Sequence, residues 1–172
     1  MKIYLITGKA GSGKNEVANI IKEYEPKTVI TGLSKYIKLF ATELTDWNGE
    51  DVQKPRAFLQ NMGDTLRSID EDFLTRRMVE DFEAYKRYGI ENVLISDVRL
   101  IHEIEYFKSL KDYEVIVIRV NSVSSMRDLN MSEMNHHTET ELDNYDGYDY
   151  VIENKFNEAL KKDVIKILEG RK

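Results

Sequence analysis

Ile3-Tyr4-Leu5-Ile6, followed by Gly8-Lys9-Ala10-Gly11-Ser12-Gly13-Lys14-Asn15, is the stretch that decides how this chain folds. Four mostly apolar residues form a short buried strand, and the loop after them has the form G-x-x-x-x-G-K. An amphipathic segment comes next. Val17, Ile20, Ile21 and Tyr24 fall at i, i+3, i+4 and i+7, one apolar helix face, and Pro26 marks its end. A strand, a glycine-rich loop and a helix in that order make an anion nest. The glycines let successive backbone N–H groups turn inward, and the helix N-terminus adds the positive end of its dipole. Lys14 then reaches the outer phosphates, so Gly8 to Asn15 are expected to hold the phosphate chain of a nucleotide.

The remaining composition fits one domain with a proper core. At 172 residues, with 41% hydrophobic content and two prolines, the chain is too apolar for disorder, and it shows no repeat or low-complexity stretch. Met1-Lys2 leads directly into the first strand, so no signal peptide is expected. No apolar run approaches the roughly 20 residues of a membrane helix. With no cysteine, disulfides and thiolate metal sites are excluded. A net charge of -6 argues against a nucleic-acid partner, because proteins that bind phosphate backbones carry a basic surface. These features point to a cytoplasmic enzyme acting on small molecules, with no membrane partner.

Thr28-Val29-Ile30-Thr31 reads as a second strand, Asn92 to Asp97 as a third, Glu114 to Val120 as a fourth and Tyr150-Val151-Ile152 as a fifth. Helical spacing is carried first by Tyr36, Ile37, Phe40, Ala41 and Leu44. It recurs after Pro55 in Phe58, Leu59, Met62 and Leu66, then in Leu74, Met78, Phe82 and Tyr85 up to Gly89. A short helix holds Ile104 and Phe107, and the last helix presents Leu160, Val164, Ile167 and Leu168 behind an Asn157 cap. Apolar strands alternating with helices predict an α/β domain over residues 1–172, with a five-stranded parallel sheet covered on both sides. Ligands then belong at the carboxyl ends of the strands. Two excursions lie on that side: a helical insertion over about 34–88 and a polar stretch over about 121–149, the layout of a small-molecule kinase with an acceptor site and a lid.

Asp97 ends the apolar run Val93-Leu94-Ile95-Ser96, the pattern of a Walker B element. Its carboxylate can hold magnesium directly or through water; the alternative is an aspartate that caps the loop after a buried strand. Val98 stands where motor ATPases carry a glutamate, and Asn154-Lys155-Phe156-Asn157 lacks the aspartate that reads guanine. Arg99 leaves the sheet at the phosphate end, where it can fork onto an acceptor's phosphate or make a structural salt bridge. Arg56, Gln60, Gly63 and Arg67 are spaced by 4, 3 and 4 residues, so they share one helix face, suited to a phosphorylated acceptor or simply to solvent. The lid stretch holds Arg127, the pair His136-His137 and a T-x-x-E box, Thr138-Glu139-Thr140-Glu141, which predicts a helix start. Three histidines and no cysteine argue against a metal site there.

Together these residues resemble the nucleoside monophosphate kinase branch of the P-loop kinases. Within it they are closest to phage and bacterial deoxynucleoside monophosphate kinases, with phosphomevalonate kinase and dephospho-coenzyme A kinase as relatives. The likeness rests on Gly8 to Lys14, on Pro55-Arg56-Ala57-Phe58-Leu59-Gln60 with Gly63, and on Ile95-Ser96-Asp97-Val98-Arg99. It continues through His137-Thr138-Glu139 with Leu142-Asp143 and ends with Tyr150-Val151-Ile152-Glu153-Asn154. The resemblance implies a three-layer P-loop NTPase-type sandwich with a helical acceptor-binding insertion and a short lid. It implies transfer of the γ-phosphoryl group of ATP, with Mg2+, to a small phosphorylated acceptor, most closely a (deoxy)nucleoside monophosphate. In that reading Lys14 stabilises the transferring group, and Asn15 and Asp97 hold the metal. Arg56, Gln60, Arg67 and Arg99 hold the acceptor, and Arg127 closes over ATP. Two departures stand out: Asn15 replaces the usual Ser or Thr, and Arg127 is the only Lys or Arg between Val120 and Lys155. The second keeps open a nucleotide-binding regulatory protein with little phosphotransfer.

Overall fold

The strands of this chain are apolar on both faces, and the fold answers by covering both. The computed structural model describes residues 1–122 and 140–170, Asp51 by its backbone alone. In chain order the elements are β1 (Lys2–Thr7), α1 (Lys14–Tyr24), β2 (Thr28–Thr31), α2 (Lys35–Leu44), α3 (Arg56–Ile69) and α4 (Phe73–Arg87). Then come β3 (Asn92–Ile95), α5 (Ile101–Lys108), β4 (Glu114–Ser122), β5 (Tyr150–Asn154) and α6 (Ala159–Glu169). Short 3-10 turns occupy Asp51–Gln53 and Glu141–Asn144. The five strands form one sheet in the order β2-β3-β1-β4-β5, all parallel, with Leu5 opposite Ile95 and Thr7 opposite Arg119.

Alternation along β1 assigns its residues to two cores. Ile3 and Leu5 join Val93, Ile95 and Val117 beneath α2, α4 and α5. Tyr4 and Ile6 join Leu94, Ile116 and Ile118 beneath α1 and α6. The result is the three-layer α/β sandwich expected from the sequence. No helix among the described residues is long and apolar enough to cross a membrane.

Three local expectations change. On α2 only Ile37 and Ala41 are buried, whereas Phe40 and Leu44 lie on the exposed face. A helix packed along one narrow stripe can bury only part of a five-residue apolar set. The third strand stops at Ile95, so Ser96 and Asp97 lie beyond the sheet rather than in it. Finally, Glu141 accepts a hydrogen bond from Ile101 N at 2.7 Å and so caps α5. The other half of its expected capping box, Thr138, lies outside the described residues, as do Arg127, His136, His137 and Glu139.

Candidate functional site

The loop between β1 and α1 is a nest of backbone donors because of its glycines. Gly8 and Gly13 have φ of 148° and 94°, and Gly13 is the residue that opens α1. Both positions are also too tight for a side chain. A Cβ on Gly8 would lie 2.2 Å from the Val120 carbonyl oxygen, and one on Gly13 would lie 2.1 Å from Asn154 Nδ2. The loop is therefore pressed against the ends of β4 and β5. Lys14 folds over it and donates to the carbonyls of Gly8 at 2.6 Å and Lys9 at 2.9 Å. Ser12 is buried and its Oγ has no hydrogen-bond partner among the described residues. Lys9 points to Asp143 at 2.8 Å, and the same carboxylate takes Arg119 at 3.3 Å.

Asn154 ends β5, and no local pattern in the sequence marks it for a role. It is fully buried; its Nδ2 donates to Ser12 O at 3.1 Å and its Oδ1 accepts from Phe156 N at 2.8 Å. Phe156 takes a φ of 53°, costly for an L-residue, so the turn after β5 is held by this side chain rather than by local preference.

From the loop a cavity of about 670 Å³ runs along the carboxyl ends of the strands to α2 and α3. Ala10, Gly11, Gly13, Lys14 and Asn15 form one end. Arg56, Gln60, Gly63 and Arg67 of α3, with Arg99, form the other. Among the described residues, seven Lys or Arg side chains line it against a single carboxylate, Asp97, in a chain whose net charge is -6. The face of α3 that could have been a solvated surface thus looks into the cavity. Gly63 is glycine for a reason inside the protein: a Cβ there would meet Arg67 Nη1 at 2.9 Å and Ile37 Cδ1 at 3.3 Å. The room it leaves is taken by the arginine one turn on and by α2.

The three guanidiniums differ in how they are held. Arg67 pairs with Glu103 at 3.0 Å and lies 3.8 Å from Asp64, while its buried Nε has no hydrogen-bond partner among the described residues. Arg56 has no ion-pair partner among the described residues. Arg99 has its pKa pushed below the ordinary arginine value, first by burial, with Arg56 and Arg67 adding to it against the opposing charges of Asp97 and Glu103. Like charges gathered in a partly desolvated pocket favour an incoming anion.

Asp97 is engaged by its neighbours. Its Oδ1 accepts from Leu33 N at 2.7 Å, and its Oδ2 accepts from Ser34 N at 3.0 Å and Ser34 Oγ at 2.5 Å. The carboxylate therefore sits at the N-terminus of α2, where the helix dipole favours it. A Cβ on Gly32 would come within 2.6 Å of it, so backbone and carboxylate are in direct contact. Asp97 thus caps the loop that leads into α2. Oδ2 accepts two hydrogen bonds and Oδ1 one, so Oδ1 keeps spare lone-pair capacity in a residue that lines the cavity.

Lys35 belongs to the same wall but is committed elsewhere. It pairs with Asp81 and donates to Tyr85 Oη at 2.9 Å, and Asp81 also takes Tyr36 Oη at 2.7 Å and Arg77 at 2.8 Å. Burial alone would lower the Lys35 pKa; its bonds to Asp81 and Tyr85 outweigh that and raise it. This cluster ties α2 to α4 and fixes the outer wall of the cavity.

No family model matches the chain. It is 29% identical over 134 residues to UPF0200 proteins of Saccharolobus islandicus (strain Y.G.57.14) and Saccharolobus solfataricus, an alignment covering 77% of this chain. The matched stretch spans 64% of the length of those relatives. Among solved structures, TT1252 from Thermus thermophilus superposes with a TM-score of 0.58 at 16% identity, covering 99% of this chain and 97% of that one. That likeness extends over the whole fold and is a likeness of fold alone.

Proposed function

We propose that this chain binds ATP at the loop Gly8 to Asn15 and transfers its γ-phosphoryl group to a small phosphorylated acceptor, a nucleoside monophosphate and by preference a deoxynucleotide. The observation that carries the reading is the single cavity joining Lys14 to Arg56, Arg67 and Arg99. Phosphoryl transfer needs two anionic reactants held in line and their charge stabilised, and little covalent help from the protein. An arginine fork suits the dianionic phosphate of the acceptor, and Gln60 supplies an amide for its body.

Magnesium is a hard cation that takes oxygen donors and keeps several waters. The Asn15 amide and the Asp97 carboxylate line the cavity beside Lys14 and fit such an ion, Asp97 through water because both its oxygens already accept hydrogen bonds. When bound, the ion would neutralise charge on the β- and γ-phosphates. On the protein side, Lys14 would leave the carbonyls of Gly8 and Lys9 to meet the transferring group. Arg99 and Arg56 would orient the acceptor, and the wall of α2 would exclude water.

The test is release of ADP in a coupled assay with ATP and Mg2+ across deoxynucleotides, ribonucleotides, dephospho-coenzyme A and phosphomevalonate. Turnover with a nucleoside monophosphate is expected, and Lys14→Ala should reduce it at least ~100-fold, the usual cost of removing one electrostatic stabiliser. Turnover confined to either of the two other metabolites would refute the nucleotide acceptor. Tight ATP binding with no turnover on any acceptor would favour a regulatory nucleotide-binding protein instead.

A further inference from the structure

A buried carboxylate, Glu103, is paired with one member of the arginine cluster. Glu103 is 2% exposed, on the first turn of α5. Its Oε2 accepts from the backbone N–H groups of Arg99 at 2.9 Å and Leu100 at 3.1 Å, and its Oε1 accepts from Arg67 Nη2 at 3.0 Å. One side chain thus ties together the loop after β3, the start of α5 and an arginine on α3. A buried carboxylate with three donors is a rigid anchor, because moving any one of them strands a charge. The hydrogen bond also fixes which nitrogen of Arg67 is used up. Nη2 faces Glu103, whereas the buried Nε has no partner in the described structure although Arg67 lines the cavity. That nitrogen is closed off from the cavity, so what Arg67 offers an anion there is its terminal guanidinium edge, whose placement the Glu103 contact sets.

We infer that Glu103 is the positioning residue of the acceptor's phosphate site: it orients the Arg67 fork and sets the backbone from which Arg99 projects, so that both meet one oxyanion. This rests on the reading of Arg56, Arg67 and Arg99 as that site. A charge-balancing role alone would have the opposite sign. Neutralising Glu103 would then leave the cluster more positive and tighten anion binding.

The sign is measurable with inorganic phosphate as the probe, titrated calorimetrically into the full chain, with Lys14→Ala used to subtract binding at the glycine loop. In Glu103→Gln the amide oxygen can keep the two backbone N–H groups, but its NH2 then faces Arg67 Nη2, two donors with no acceptor between them. Phosphate affinity should fall about tenfold, the scale of one misplaced charge-assisted contact. Arg67→Ala should show a similar loss, and the double variant should be no weaker than Arg67→Ala alone. Unchanged or tighter phosphate binding in Glu103→Gln, or full additivity in the double variant, overturns the positioning role. Arg56→Ala and Arg99→Ala separate the two ideas. If they weaken phosphate binding while Glu103→Gln does not, only the role of Glu103 fails; if they have no effect, the phosphate site fails with it. Should Glu103→Gln not fold, Arg67→Lys carries the test, since it keeps charge and cap but loses the fork; affinity equal to the parent chain then refutes the inference.

Discussion

Replacing Asp97 by Asn separates the two duties of that residue. In the structure its two oxygens serve two backbone donors, Leu33 N and Ser34 N, and the Ser34 hydroxyl. An asparagine has one oxygen, so one backbone N–H must face an amide NH2. The hydroxyl can reverse and donate elsewhere, but the backbone cannot. An unmet, partly buried donor costs about 1–3 kcal/mol, and the bonds that survive lose their charge assistance, about 1 kcal/mol more. A total near 3 kcal/mol corresponds, for a domain of this length, to a fall in Tm of roughly 6–12 °C. Thermal unfolding without nucleotide or metal reads this directly. Ser34→Ala, which removes only the hydroxyl contact, should cost about 1 kcal/mol. A magnesium titration of nucleotide binding supplies the second measurement, and Asp97→Asn should weaken its metal dependence. A Tm unchanged within measurement error would refute the clamp at the start of α2 and leave Asp97 as a metal residue only. A large fall in Tm with unaltered magnesium dependence would remove Asp97 from the metal site.

Two further outcomes follow from the same geometry. Gly13→Ala should lower Tm by several degrees and weaken ATP binding about tenfold or more in a binding titration: its Cβ would displace Asn154 from Ser12, and an L-residue at φ of 94° costs about 1–2 kcal/mol. ATP affinity equal to the parent chain would show that Asn154 does not brace the loop. The acid limb of stability should carry the signature of Asp81. Burial pushes its pKa up, but Lys35, Tyr36 and Arg77 reverse this and hold it below the usual carboxylate value. Its contribution is therefore complete above the unfolded value near ~3.9 and is lost as pH falls through the lower folded one. Asp81→Asn should flatten that part of a Tm-against-pH curve and leave its slope above pH ~5 unaltered; an unchanged acid limb would refute the assignment.

What the sequence by itself determined is the loop, the order of the elements and the shared helix face, all carried by local pattern. The loop Gly8 to Asn15 needs only glycine where φ is positive and a strand and helix on either side, and those are neighbours in the chain. The parallel sheet follows from apolar runs alternating with helical spacing, which is why five strands could be placed to within a few residues. The shared face of Arg56, Gln60, Gly63 and Arg67 is likewise a property of one helix. Whether that face met solvent or a cavity was a different kind of question. It was decided by α2 packing on Gly63 and by Glu103 holding Arg67 from 36 residues away. Asn154 braces Ser12 across 142 residues, and Asp97 reaches Ser34 across 63. The signals for these roles existed only as position: an acid on the first turn of α5 and an asparagine at the end of β5. A hydrogen bond between distant segments leaves no periodicity in the chain, because its partners are brought together by the sheet and not by spacing. The tertiary structure alone could bring Arg56, Arg67 and Arg99 to one cavity with Asp97, and set Glu103 against Arg67.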